Sequence, residues 1–167
     1  MNGRAAGWVL GALVVAATVW LLWPANRPMP DATFNLVDGQ RLSSADLRGR
    51  PVLINFWSVS CGVCLRDMPR LTRLHETLGE RGLVVIGVAM PHDPPPAVIA
   101  TVKEREPGYP IAVDVHGELS RAFGDVSVTP TTFLVDPDGN IRFSSQGPLD
   151  EPRIRATVAT FRTPAAG

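Results

Sequence analysis

"INFWSVSCGVCLRDMP" (residues 54–69) contains the only two cysteines of a 167-residue chain, Cys61 and Cys64. They come directly after an almost continuously apolar run, PVLINFW at 51–57, and a second such run, LVVIGVAM, occupies 83–90. Short runs of this kind are expected of strands that are covered on both faces. The cysteine pair is therefore predicted to follow a buried strand.

The residues between the two apolar runs have the periodicity of a helix, and Gly82 supplies a stop before the second run. The positions of this stripe are Cys64, Met68, Leu71, Leu74 or His75, and Leu78. A strand, a helix and a second buried strand predict a parallel pair with a right-handed crossover. The fold class is therefore α/β, with mixed parallel and antiparallel strands.

Shorter patterns before and after this unit complete one domain. Asp-Gly pairs between alternating runs predict two hairpins, which is the strongest short-range signal for a tight turn. The predicted elements are a hairpin over 32–43, a helix over 97–106, a strand over 109–114, a helix over 116–124, a hairpin over 131–145 and a helix over 151–161.

Composition excludes several classes of protein. The chain has 16 acidic and 16 basic side chains and a formal net charge of zero, which argues against a nucleic-acid partner. Two cysteines are too few for a disulfide-stapled miniprotein. After the N-terminal apolar segment about 140 residues remain, the usual size of one compact domain.

The N-terminal segment predicts a membrane anchor. AAGWVLGALVVAATVWLLWPAN at 5–26 carries no charge and as a helix reaches roughly 30 Å, one hydrocarbon thickness. A cleaved signal peptide is the alternative, but the run exceeds the usual signal length and offers no good small-x-small site. Arg4 inside and Arg27 outside favour a cytoplasmic tail at 1–4. We expect a single pass through the inner (cytoplasmic) membrane of a bacterium, with the domain in the oxidising periplasm.

The position of the cysteines predicts dithiol chemistry. Cys61 falls where the strand turns into the helix, so unpaired backbone N–H groups and the helix dipole favour a thiolate there. Cys64 lies one turn deeper on the apolar stripe, where it can attack a mixed disulfide on Cys61 but is sheltered from outside attack. We therefore expect Cys61 to attack and Cys64 to resolve.

Metal binding and static cross-linking are alternatives for the pair. A closed zinc site needs four ligands, and the histidines, His75, His92 and His116, are scattered, so zinc is disfavoured. Cu(I) needs only two or three soft ligands, so a copper carrier stays open. A structural disulfide closing so small a loop would add little stability. Dithiol exchange without metal or cofactor is favoured, and we expect His92 and His116 to be exposed.

The sequence "NFWSVSCGVCLRDMP", followed by "VTPTTFLVDPDGNIR", resembles the membrane-anchored thioredoxin-like proteins of the TlpA/ResA type over roughly residues 30–163. The resemblance implies a thioredoxin-like fold with an N-terminal β-hairpin, a helix-strand insertion after residue 95 and one preceding transmembrane helix. It also implies a helix kink at Pro69, a cis bond between Thr129 and Pro130, and a groove beside Pro130 that pairs with an extended substrate segment.

The same resemblance implies a protein-disulfide reductase. Its clients would be disulfide-bearing proteins, such as apocytochromes or copper-site proteins, and a membrane thiol carrier would supply electrons. A disulfide-forming oxidant with the same residues stays open. The implied division of the chain is a tail at 1–4, an anchor or uncleaved signal at 5–26, a linker at 27–31, the thioredoxin-like domain at 32–163 and a tail at 164–167.

Four residues depart from the thioredoxin pattern. Asn55 stands where thioredoxins carry a buried acid, Ser60 replaces the usual tryptophan and Val63 replaces a frequent proline. Asp67 stands where this family often has glutamate. Two interpretations of Asp67 stay open: a proton relay for Cys64, or a solvated carboxylate in the first turns of the helix. Trp57 is expected to pack in the core.

Overall fold

The computed structural model describes residues 27–161, which form a central sheet, flanking helices and a small separate hairpin. The strands are β1 (Arg27–Pro28), β2 (Thr33–Asn35), β3 (Arg41–Ser43), β4 (Val52–Trp57), β5 (Val84–Ala89), β6 (Ile111–Val113), β7 (Thr131–Val135) and β8 (Asn140–Gln146). The helices are a 3-10 turn (Ala45–Leu47), α1 (Gly62–Gly79), α2 (Pro95–Arg105), α3 (Glu118–Ala122) and α4 (Glu151–Ala159).

The sheet has the strand order β1-β8-β7-β4-β5-β6. β4 pairs parallel with β5, with Trp57 opposite Ala89, and antiparallel with β7. Every residue of β4 and β5 is buried. The predicted two-sided cover and the parallel strand-helix-strand unit are thereby confirmed.

Two apolar clusters cover the two faces of the sheet, because side chains alternate along β4. Leu53 and Trp57 belong to the cluster that includes α1 and α4, whereas Ile54 and Phe56 pack on the other side with Phe123. Asn55 shares the α1 side with Leu53 and Trp57 by the same alternation. The expectation that Trp57 packs in the core is confirmed, since its side chain is buried.

Helix α1 forms where the apolar stripe predicted it. Cys61 is its N-cap, and the chain leaves its end through Gly82 at a φ of 82°, a conformation that glycine adopts without a steric cost. The buried residues of this helix are Cys64, Asp67, Met68, Leu71, Leu74 and Leu78. Burying one such leucine is worth about 1.5–3 kcal/mol, so this stripe holds the helix against the sheet. Pro69 lies inside α1 and has no N–H to donate to the preceding turn.

The hairpin and the insertion are also confirmed. β2 pairs antiparallel with β3, and the insertion α2–β6 adds β6 as a parallel edge strand beside β5. In the stretch expected to be a linker, 27–31, the first two residues instead form β1, which pairs with Asn140 and Ile141 of β8. A strand of two residues leaves no periodic signal in the sequence.

Over residues 27–161 no helix combines the length and the apolarity that crossing a membrane requires. The anchor predicted at 5–26 lies outside the described residues, as do the tail at 1–4 and residues 162–167.

Candidate active site

Cys61 caps the N-terminus of α1. Its backbone is extended, with a φ of −88° and a ψ of 98°, and its Sγ accepts a hydrogen bond from the backbone N–H of Cys64 at 3.2 Å. Helix N-termini present such unpaired N–H groups and favour negative charge. The sulfur of Cys61 therefore lies at the helix N-terminus, a position that favours a thiolate.

The two sulfurs differ in access. Cys61 is partly exposed, whereas Cys64 is 2% exposed and belongs to the core cluster around α1. In this structure they are joined in a disulfide, the oxidised form of the pair. Cys61 is therefore the more accessible sulfur, and Cys64 is sheltered behind it.

Arg66 adds positive charge at the same turn. A Cβ placed on Gly62 would lie 3.5 Å from Nη1 of Arg66, so the guanidinium folds back over the residue that follows Cys61. The first turn of α1 contains no acidic residue. Dipole and side chain therefore act in the same direction, toward a stabilised anion.

The loop that leads into Cys61 is held by a residue that the sequence did not single out. Asp93, buried after β5, accepts hydrogen bonds from Ser58 Oγ at 2.9 Å and from the backbone N–H of Val59 at 3.0 Å. His92 Nε2 lies 3.2 Å from the same Ser58 hydroxyl. His92 is exposed, as expected, yet it contacts this loop, whereas the exposed His116 makes no side-chain hydrogen bond within residues 27–161.

Asp67 is buried rather than solvated. Its side chain is 8% exposed, which rules out the interpretation as a solvated surface carboxylate. Oδ1 pairs with Arg70 Nη1 at 2.7 Å, and Oδ2 accepts from the backbone N–H of Leu149 at 2.8 Å. Each carboxylate oxygen has two lone pairs. The Asp67 carboxylate can therefore accept a proton in addition to the two partners named.

Beneath the helix the polar groups are few. Asn55 donates to Thr132 Oγ1 at 2.9 Å, so an amide paired within the sheet stands in place of a buried acid.

Burial raises the pKa of Tyr109 far above its usual range, and the charge of Asp67 adds to that effect. Tyr109 is therefore a neutral phenol at every physiological pH.

Thr129 and Pro130 form the turn that leads into β7. Their peptide bond is cis, as the resemblance implied, and the Pro130 carbonyl accepts from the N–H of Gly147 at 2.8 Å. Among residues 27–161 neither the N–H nor the carbonyl of Thr129 has a hydrogen-bond partner. Beside it Val128 is 47% exposed. Within the described residues this turn therefore has unpaired backbone groups at Thr129 and an exposed apolar side chain beside them.

Residues 27–161 contain no group of three or more His, Cys, Asp or Glu side chains arranged to hold a metal ion.

Known proteins resemble this chain in sequence and in fold. The Redoxin family profile matches residues 24–161. DsbE, a thiol:disulfide interchange protein of Pseudomonas aeruginosa, is 35% identical over 139 residues, covering 80% of this chain and 73% of that protein. ResA, a thiol-disulfide oxidoreductase of Bacillus thuringiensis, is 30% identical over 116 residues, covering 70% of this chain and 66% of that relative's length. A crystal structure of a thioredoxin-family thiol:disulfide interchange protein from Chlorobium tepidum matches with a TM-score of 0.72 at 30% identity, over 80% of this chain and 96% of that one. The predicted thioredoxin-like fold is thereby confirmed.

Proposed function

The chain belongs to the Redoxin family, alongside the ResA and DsbE thiol:disulfide oxidoreductases, and we propose that it reduces disulfides of selected client proteins through Cys61 and Cys64. The observation that carries this proposal is the cysteine geometry. A partly exposed sulfur caps α1 and accepts the N–H of Cys64, and the second sulfur lies buried behind it.

The proposed reaction has two exchange steps. The Cys61 thiolate attacks one sulfur of a client disulfide, forms a mixed disulfide and expels the client's other sulfur as a thiolate. Cys64 then loses its proton and attacks Cys61 Sγ, which closes the Cys61–Cys64 disulfide and releases the second client sulfur. Two electrons pass to the client, and both client thiolates take up protons.

Asp67 is the proposed acceptor of the Cys64 proton. It follows Cys64 by three positions on α1, both side chains are buried, and its carboxylate can still accept. The proposed substrate groove is the turn of Thr129 and Pro130, where the free backbone groups of Thr129 can pair with an extended client segment.

The proposed setting is the periplasmic face of the inner membrane, with residues 5–26 as a single-pass anchor. The apolar, uncharged sequence of that segment supports it. In an oxidising space the pair needs an electron source, so we propose a membrane thiol carrier as donor. Clients of the apocytochrome or copper-site kind, and the reducing direction itself, are proposed on the resemblance to the TlpA/ResA type.

Trapping tests the proposal. A Cys64→Ser variant of the full chain should accumulate a mixed disulfide between Cys61 and a client, identifiable by mass spectrometry, and Cys61→Ser should capture nothing. Capture through Cys64 in the Cys61→Ser variant would reverse the two roles.

Two further measurements test the direction and the metal alternative. Equilibration with glutathione should give a redox potential well below that of strong oxidases, which is about −120 mV. A potential near that value would make the protein an oxidant. Stoichiometric Cu(I) binding by a reduced protein that reduces no protein disulfide would favour the copper carrier.

A further inference from the structure

We propose that Asp93 is a positioning residue for the thiol chemistry, acting through Ser58 to hold Cys61 at the start of α1. The inference rests on the proposed function, because it concerns the reactivity of the Cys61 thiolate. Asp93 lies in the proline-rich loop after β5, and the sequence alone gave it no role.

The Asp93 carboxylate is directed at the loop before Cys61 with both oxygens. Oδ1 accepts from the Ser58 hydroxyl at 2.9 Å, and Oδ2 accepts from the backbone N–H of Val59 at 3.0 Å. The side chain is only 3% exposed. Losing the carboxylate would therefore remove the partner of the Val59 N–H and of the Ser58 hydroxyl together.

Ser58 connects Asp93 to Cys61 through hydrogen bonds. Its hydroxyl lies 3.0 Å from the Ser60 hydroxyl and accepts from the Ser60 N–H at 3.3 Å, and its carbonyl accepts from the N–H of Cys61 at 3.1 Å. Three consecutive residues before the N-cap are thus tied, directly or through Ser58, to one carboxylate.

The charge around this carboxylate does not explain its burial. Within residues 27–161 its single potential ionic partner is His92, whose Nε2 lies 3.8 Å away and whose side chain is 58% exposed. A buried carboxylate with so weak a partner is costly. The two hydrogen bonds that this carboxylate accepts from the loop therefore indicate its role, which is to hold the loop.

The consequence concerns the first exchange step. If the loop relaxes, Cys61 Sγ leaves the N–H groups of α1, and the thiolate loses the stabilisation that the N-cap position supplies. The position of Cys64 depends on α1 itself and not on this loop. The effect should therefore appear in the titration and attack rate of Cys61.

The test is the pH profile of Cys61 alkylation in the full chain, in detergent and in a Cys64→Ser background, so that only one thiol reacts. Asp93→Ala and Ser58→Ala should each move the midpoint upward by about one pH unit. Below both midpoints alkylation should slow roughly threefold, because the thiolate fraction falls about tenfold while each thiolate becomes about threefold more nucleophilic. Asp93→Glu should recover part of the loss. Thermal unfolding of every variant identifies any that fail to fold, in which case Ser58→Ala, which keeps the carboxylate, decides.

Asp114 supplies the matched control. It is a buried carboxylate that accepts two backbone N–H groups, from Leu119 at 3.0 Å and Ser120 at 2.8 Å, in a different loop. Asp114→Ala should lose stability and leave the Cys61 midpoint unchanged.

Three outcomes would overturn the inference. Unchanged midpoints in folded Asp93→Ala and Ser58→Ala would show that the loop does not position Cys61. A midpoint that falls in Asp93→Ala and stays put in Ser58→Ala would show that the carboxylate acts only as a charge. If Cys61 of the parent itself titrates like a free cysteine, the proposed function fails, and this inference fails with it.

Discussion

The carboxylate of Asp67 accepts the backbone N–H of Leu149 at 2.8 Å, although the two residues lie 82 positions apart. Arg70 contacts both residues, since one of its nitrogens pairs with Asp67 at 2.7 Å and another donates to the Leu149 carbonyl at 3.0 Å. The active-site helix is thereby tied to the segment between β8 and α4. Asp67 thus has a structural role whether or not it moves a proton.

Replacing Asp67 separates these two roles. We expect Asp67→Asn to lower the free energy of unfolding by about 1–3 kcal/mol, because the negative charge that pairs with Arg70 and accepts a buried N–H is lost. If Asp67 also takes the Cys64 proton, the mixed disulfide on Cys61 should persist longer, as stopped-flow measurement of client release would show.

Arg70→Gln is the control for this prediction. It breaks the same ion pair but leaves the carboxylate, so it should cost stability without delaying release. Equal delays in both variants would mean that Asp67 acts only by holding α1 in place.

Gly87 in β5 makes room for the core beneath α1. A Cβ there would lie 2.7 Å from Ile111 Cδ1, 3.2 Å from Trp57 Nε1 and 3.3 Å from Tyr109 Cε2. We expect Gly87→Ala to destabilise the protein by about 1–3 kcal/mol through overpacking, measured by urea unfolding. Gly79→Ala is the matched control, because its Cβ would meet no atom within 4 Å. A neutral Gly87→Ala would show that this layer of the core can relax.

The local part of this architecture could be predicted because its signals are contiguous. The apolar runs of β4 and β5 and the helical stripe between them are enough to predict Cys61 at the start of the helix and Cys64 one turn deeper. The same run puts Asn55 in a strand, whereas its standing in place of a buried acid follows only from the resemblance to thioredoxins.

The contacts of Asp93 and Asp67 could not be predicted in this way. Both carboxylates bond loop residues far along the chain, and the conformation of such loops depends on packing that no sequence period encodes. A partial signal existed for Asp93. Parallel strands end at the same edge of a sheet, so the residues after β4 and those after β5 had to lie near one another.

His75 should make stability depend on pH. Its Nδ1 is buried without a hydrogen-bond partner among residues 27–161. Burial and, secondarily, the charge of Arg50 lower the pKa of His75 in the folded protein below its ordinary 6.5, while Glu76 opposes them. Below pH 6.5 the unfolded chain therefore binds more protons at this site than the folded one, and stability falls as the pH falls.

Urea unfolding over a pH series checks this sign. In His75→Gln the decline of stability below about pH 6.5 should be shallower than in the parent. His116→Gln, at an exposed position, should keep the parent's slope. Equal slopes in all three proteins would mean that the folded and unfolded states bind protons equally at His75.

Arg66 should tune the reactivity of Cys61 by charge alone. Its guanidinium lies against Gly62 at the first turn of α1, where no acidic residue offsets it. Because the side chain is exposed, the effect should be modest and sensitive to salt. We expect Arg66→Gln to slow alkylation of Cys61 by roughly two- to fivefold at low ionic strength and Arg66→Glu to slow it further. The difference from the parent should shrink as salt is added.

Arg73→Gln is the matched control, since Arg73 is exposed on the same helix but lies about two turns farther from its N-terminus. It should leave the alkylation rate unchanged, because charge effects at a helix end fall off within the first turn. Equal slowing by Arg66→Gln and Arg73→Gln would assign the effect to the overall charge of α1. A slowing by Arg66→Gln that persists at high salt would instead mean that the guanidinium supports the turn around Gly62 by contact.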